Sequence, residues 1–147
     1  MKLGIASDHG GFELKTAIIQ QLSRFEFVDL GASNAERVDY PLFADKLCQA
    51  IRQGVVSEGV LICGTGIGIS IRANRYPGIR AALVYDEFTA KMAREHNNAN
   101  ILCLGGRTTT VNLAVSLIQT WQTVAFEGGR HTHRLSLLDA PIVWPAD

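Results

Sequence analysis

Cys63 closes an apolar run and opens a glycine turn, Val60-Leu61-Ile62-Cys63-Gly64-Thr65-Gly66-Ile67-Gly68-Ile69-Ser70. Glycines allow backbone N–H groups to approach a ligand with no side chain between them. A helix start behind such a turn adds unpaired N–H groups and the positive end of a helix dipole. With the thiol of Cys63 and the hydroxyl of Thr65 on its rim, the turn suits chemistry on a developing oxyanion. The plainer alternatives are an ordinary strand-to-helix turn and a cysteine acting as a small buried apolar residue.

Three further groups carry reactive side chains. Asp8 and His9 follow the first apolar run, either as an acid/base or phosphate-contacting pair or as a helix cap with an incidental histidine. His96 and Asn97 fall where a helix ends, a place that favours protonated imidazole. Arg107 follows Gly105-Gly106, and Arg130 follows Gly128-Gly129. Arg130 and Arg134 are four apart, so on a helix they share a face and can close on one phosphate. His131 and His133 suggest a metal. With no carboxylate or cysteine nearby in sequence they make a poor ligand set, and no metal is expected.

The elements that must position these groups alternate. Strands are expected over 3–7, 27–31, 59–63, 79–85 and 99–104. Helices are expected over 12–25, 42–53, from the glycine turn to about 76, 86–94 and 109–123, with a last piece over 134–138. Asp86 is placed to cap the fourth helix. The strands are almost wholly apolar, as in a parallel sheet covered on both faces. The expectation is an α/β fold: a Rossmann-like three-layer sandwich with a five-stranded parallel sheet, forming one domain over 1–147 with the tail from about 139 unassigned. Ligands of such sheets bind at the carboxyl ends of strands, where Asp8, Cys63 and Arg107 would fall.

The 147 residues carry 14 basic and 14 acidic side chains. That balance argues against a nucleic-acid or membrane-surface partner. Three cysteines without metal-type spacing fit reduced thiols and a cytoplasmic location. The chain opens directly on a strand, so no signal peptide is expected, and no apolar run is long enough to cross a bilayer.

Five motifs in order bring a family into view: Ser7-Asp8-His9-Gly10-Gly11-Phe12, Val38-Asp39-Tyr40-Pro41, the Ile62–Ser70 segment, Arg94-Glu95-His96-Asn97 and Glu127-Gly128-Gly129-Arg130-His131. With them the chain resembles the ribose-5-phosphate isomerase B and galactose-6-phosphate isomerase family, up to about residue 138. The resemblance implies aldose–ketose isomerisation of a phosphorylated sugar through an enediolate, with no cofactor and no metal. Cys63 would be the base that moves a proton between C1 and C2, and His96 the acid that opens the sugar ring. Asp8 and Tyr40 would contact substrate hydroxyls, with Thr65 beside the base. Gly64, Gly66, Ile67, Gly68 and Ser70 would line the oxyanion cradle. His9, Asn97, Arg107, Arg130 and Arg134 would hold substrate, the arginines chiefly its phosphate. The family's site lies between the subunits of a homodimer, with a tetramer also open.

Arg72 departs from the family pattern, where a small residue is expected, and could pair with a nearby acid or alter the accepted sugar. Ribose 5-phosphate is the leading substrate; allose, galactose and tetrose phosphates are the alternatives. A Rossmann-type nucleotide module is a further reading of the glycine turn, weakened by the lack of its usual final glycine. A non-catalytic subunit is disfavoured by the presence of both Cys63 and His96.

Overall fold

A computed structural model describes residues 2–145. Five strands, β1 (Lys2–Ser7), β2 (Glu26–Asp29), β3 (Gly59–Cys63), β4 (Ala81–Leu83) and β5 (Ile101–Gly105), alternate with helices. The helices are α1 (Phe12–Gln21), α2 (Tyr40–Arg52), α3 (Ile67–Ala73), α4 (Glu87–Glu95) and α5 (Val111–Thr123), with α6 (Arg130–Asp139) last. All pairings are parallel and the strand order is β2-β1-β3-β5-β4. The expected three-layer α/β sandwich is the observed fold.

Strand side chains alternate between two apolar layers. Leu3, Ile5, Val60, Ile62, Leu102 and Leu104 pack with Leu14 and Ile18 of α1, Ala90 and Ala93 of α4, and Leu117, Ile118 and Trp121 of α5. Ala6, Leu61, Cys63, Ile101 and Cys103 face the other way, onto Phe43, Ala44 and Leu47 of α2 and Ile69 and Ala73 of α3. Both faces are covered, which is why these strands read as unbroken apolar runs. Cys63 therefore points to the α2/α3 side, at the very end of its strand.

Several boundaries differ from the sequence reading. Helix α1 stops at Gln21, not 25: Leu22 leaves helical geometry and Phe25 turns back toward Phe27, ring centroids 6.1 Å apart. Strand β4 has three residues where seven were expected. Ahead of it, Asn100 Oδ1 takes the Arg80 N–H; on its outer edge, Asn74 binds both the N–H and the carbonyl of Ala81, each at 2.8 Å. These side-chain amides stand in for a further strand. Helix α6 starts at Arg130, four residues early, because Gly128 (φ 67°) and Gly129 (φ 56°) complete the turn before it. Asp86 does cap α4, in a reciprocal capping box with Thr89. Beyond α6, residues 141–145 carry no regular structure; 146 and 147, the end of the tail considered above, lie outside the described residues. Among the described residues no helix is long and apolar enough to cross a membrane.

Candidate active site

Three loops meet at the carboxyl edge of β1, β3 and β5. The Gly106 N–H donates to the Cys63 carbonyl at 2.8 Å, the Arg107 N–H to the Gly64 carbonyl at 3.0 Å, and the Asp8 N–H to the Ile62 carbonyl at 3.2 Å. The fit is too close for side chains: a Cβ on Gly106 would lie 2.2 Å from the Gly10 carbonyl oxygen. The glycines are thus what allows the three strand ends to form one floor.

On that floor the Cys63 sulfur accepts the Gly66 N–H at 3.1 Å. Gly66 sits at φ 79°, a left-handed conformation that glycine adopts without penalty and that turns its amide back onto the sulfur. The side chain is 4 % exposed. Thr65 is exposed, and its hydroxyl accepts from the Ile67 N–H at 3.3 Å. Tyr40 begins α2 and lays its ring on Gly68, where a Cβ would come within 2.5 Å of Cζ. The Arg107 guanidinium covers Gly64 in the same way, 3.2 Å from such a Cβ.

Asp8 is buried, and its carboxylate accepts the Gly11 N–H at 3.1 Å. It thereby fixes the turn before α1, whose N-cap is Gly11 rather than Asp8. His9 is anchored from the loop before α2, its Nδ1 lying 3.2 Å from both N and O of Val38. Ser70 is the weak member of the predicted set. Its hydroxyl donates to the Ile67 carbonyl at 2.7 Å and its N–H to Gly66 at 3.2 Å, so both hydrogens are engaged within its own helix.

The other two thiols are in the core. Burial pushes Cys48 up to about 12 and Cys103 well above the ordinary thiol range. Neither is a proton acceptor near neutrality. Only Cys63 combines a strand end with an amide hydrogen on its sulfur.

His96, Asn97, Arg130 and Arg134 are elsewhere. His96 caps the C-terminal end of α4, which runs back from the carboxyl edge of the sheet to the amino edge where β5 begins. Asn97 is exposed beside it, its carbonyl accepting from Arg80 Nε at 2.9 Å. Arg130 and Arg134 occupy successive turns of α6, both exposed, and α6 packs on the same end through His131. The structure brings together Asp8, His9, Tyr40, Cys63, Thr65, Gly64 to Gly68 and Arg107 on one edge. It places the second group on the opposite edge, about 16 Å away along a five-residue strand.

The second group includes a residue that the sequence reading left without a role. The Glu127 carboxylate lies 3.3 Å from His131 Nε2 and 4.0 Å from His96 Nε2. This corrects the expectation that no carboxylate lies near His131; the i, i+4 spacing of Glu127 and His131 across the glycine turn was the available signal. His96, Glu127 and His131 have donor atoms within 4.8 Å of one another. Their two rings are stacked only 16° from parallel, which sends the nitrogen lone pairs side by side instead of converging on an ion. Arg72 has also found its acid: it binds Asp45 at 2.7 and 3.0 Å, and Asp45 accepts from Tyr76 as well. Those hydrogen bonds, the Arg72 contact first, hold the Asp45 carboxyl below its ordinary range.

Comparison with known proteins identifies the family and the fold. The chain is 40% identical to ribose-5-phosphate isomerase B of Escherichia coli over 95% of each chain. Its fold matches a Clostridium thermocellum ribose-5-phosphate isomerase B with a TM-score of 0.92 at 47% identity, covering 95% of each chain. It also matches the crystal structure of ribose-5-phosphate isomerase B from Mycoplasma genitalium with bound ribulose-5-phosphate, TM-score 0.88 at 39% identity, covering 94% of this chain and 93% of that one. The Ribose/Galactose Isomerase family model matches residues 3–138, and the chain belongs to that family of sugar isomerases.

Proposed function

We propose that the protein interconverts ribose 5-phosphate and ribulose 5-phosphate at sites shared between two copies of the chain. The observation that carries this reading is the Cys63 sulfur, held by the Gly66 amide at the meeting point of three strand-end loops. The Mycoplasma genitalium relative with ribulose-5-phosphate supports the choice of sugar.

In the open-chain aldose the hydrogen on C2 lies next to the C1 carbonyl. Cys63, as thiolate, removes it; the electrons pass to the carbonyl oxygen and form the enediolate. The amides of the glycine turn and the adjoining start of α3 face that oxygen. Returning the proton to C1, with the hydroxyl hydrogen moving from O2 to O1, gives the ketose. The sequence is a net proton shift, so the chain's own residues suffice. A placed base contributes about 10²–10⁴-fold, and one oxyanion donor about 10²–10³-fold. Asp8 and Tyr40 contact the sugar hydroxyls.

His96 opens the furanose ring, and Arg130 and Arg134, with Arg107 and His9, hold the phosphate. Binding energy from the phosphate orients the reacting carbons. Because the two groups occupy opposite edges of one chain, Cys63 of one copy works with His96, Asn97, Arg130 and Arg134 of a second. A two-fold dimer makes two such sites. A cytoplasmic homodimer is the proposed setting.

Purified protein is incubated with ribose 5-phosphate, and separately with allose, galactose and tetrose phosphates, in the presence of EDTA. Formation of ribulose 5-phosphate is the expected result. Failure to interconvert any of the panel would defeat the reading.

A further inference from the structure

His131 takes no part in the chemistry above, yet it is the most constrained residue near His96. It is 3 % exposed, and its ring stacks on that of His96 with centroids 4.1 Å apart. Its Nε2 is buried without a hydrogen-bond partner, although Glu127 Oε2 stands 3.3 Å away, at an angle that makes no bond. Glu127 is in turn held by its own N–H, which donates to the Glu95 carbonyl at 3.1 Å. An orphaned buried nitrogen is uncommon and asks for a reason.

We propose that His131 and Glu127 are positioning residues for ring opening: His131 fixes the plane of the His96 imidazole by stacking on it, and Glu127 faces the Nε2 edge of both rings. The inference rests on the isomerase reading. In the step it serves, the bond from C1 to the ring oxygen breaks. The ring oxygen leaves as the C4 hydroxyl with the proton of His96, and the C1 hydroxyl hydrogen returns to the imidazole as the aldehyde forms. One imidazole must be aimed at two oxygens in turn. A half-exposed ring at a helix end would otherwise rotate freely, and misplacement of this kind lowers rate steeply.

The surroundings weigh against a charge on His131. Near the pair are Glu127 from the connection before α6 and Arg130 and Arg134 from α6, while the Glu95 carboxylate of α4 is engaged by Lys91. Two imidazolium rings at stacking distance repel. Burial first, then the positive charges of His96 and Arg130, lower the pKa of His131. That leaves Glu127 facing the Nε2 edge of a His131 ring that the fold keeps from being charged.

The two directions of the reaction separate this role from a structural one. Ribulose 5-phosphate has no free C5 hydroxyl and stays open, so its C1 hydrogen can exchange through the enediolate without ring opening. In His131→Ala, turnover of ribose 5-phosphate falls about 10–100-fold with KM little changed. Exchange of the C1 hydrogen of ribulose 5-phosphate in D2O is retained. His131→Phe, which keeps a stacked ring, restores most of the lost turnover, and Glu127→Gln repeats the Ala pattern. Native turnover in both His131→Ala and Glu127→Gln would overturn the proposal, and so would turnover and exchange falling together in all three variants. Absence of both activities from the native protein would strike the isomerase reading instead.

Discussion

Cys63 and His96 stand at opposite ends of one parallel sheet. Cys63 closes β3 at the carboxyl edge; His96 closes α4 where β5 is about to begin, at the amino edge. Since β3 and β5 run side by side in register, no side-chain rotation brings the thiol and the imidazole of one chain together.

A mixing experiment follows from that separation. Cys63→Ala and His96→Ala are each expected to be nearly inactive alone. Unfolded together and refolded, they form mixed dimers in which one of the two sites has both native groups, and about a quarter of the native rate returns. Steady-state turnover of ribose 5-phosphate reads it. A mixture as inactive as its parts would argue against a shared site.

Gly106→Ala tests the floor of the site. The new Cβ would fall 2.2 Å from the backbone oxygen of Gly10, which cannot swing aside as a side chain can. A loss of about 1–3 kcal/mol is expected, or about 3–10 °C in Tm. Activity should fall as the Asp8 turn is pushed from Cys63. Thermal melts and turnover at 25 °C check both; an unchanged Tm would mean that the loops are not packed as described.

Arg72→Ala separates the two sequence-level readings of that arginine. Its guanidinium is tied to Asp45 on α2, on the flank of the helix and not over the glycine turn. Turnover and choice among aldose phosphates should stay within about twofold of native, with a stability change of about 1 kcal/mol or less for so exposed a pair. A changed order of preference in the sugar panel would place Arg72 in the site after all.

His131 makes stability depend on pH in a predictable direction. Its folded pKa lies below the ordinary value of 6.5, chiefly through burial. Between the two values the unfolded chain binds more protons, so stability is fully present above about 6.5 and is lost as the pH falls toward the lower folded value. Tm should drop more between pH 7.5 and 5.5 in the native protein than in His131→Phe. Parallel curves for the two would show that the ring is not held neutral by the fold.

Much of this was legible along the chain because it depends on near neighbours. The apolar strands, the glycine turn after Cys63, the Asp86 cap and the i, i+4 pairing of Arg130 and Arg134 all follow from local periodicity and turn chemistry. Helix ends were less legible: the stop at Gln21 and the start at Arg130 depend on where the chain packs and on two consecutive positive φ values. The sequence motifs also singled out the candidate reactive residues, through their resemblance to a family. Only the tertiary structure could sort them. The strand order and the return direction of α4 put Cys63 and His96 on different edges, bring Glu127 and His131 against His96, and turn Arg72 toward Asp45. These relations join residues many positions apart, and their physical cause is the packing of whole elements, which no short window of sequence contains.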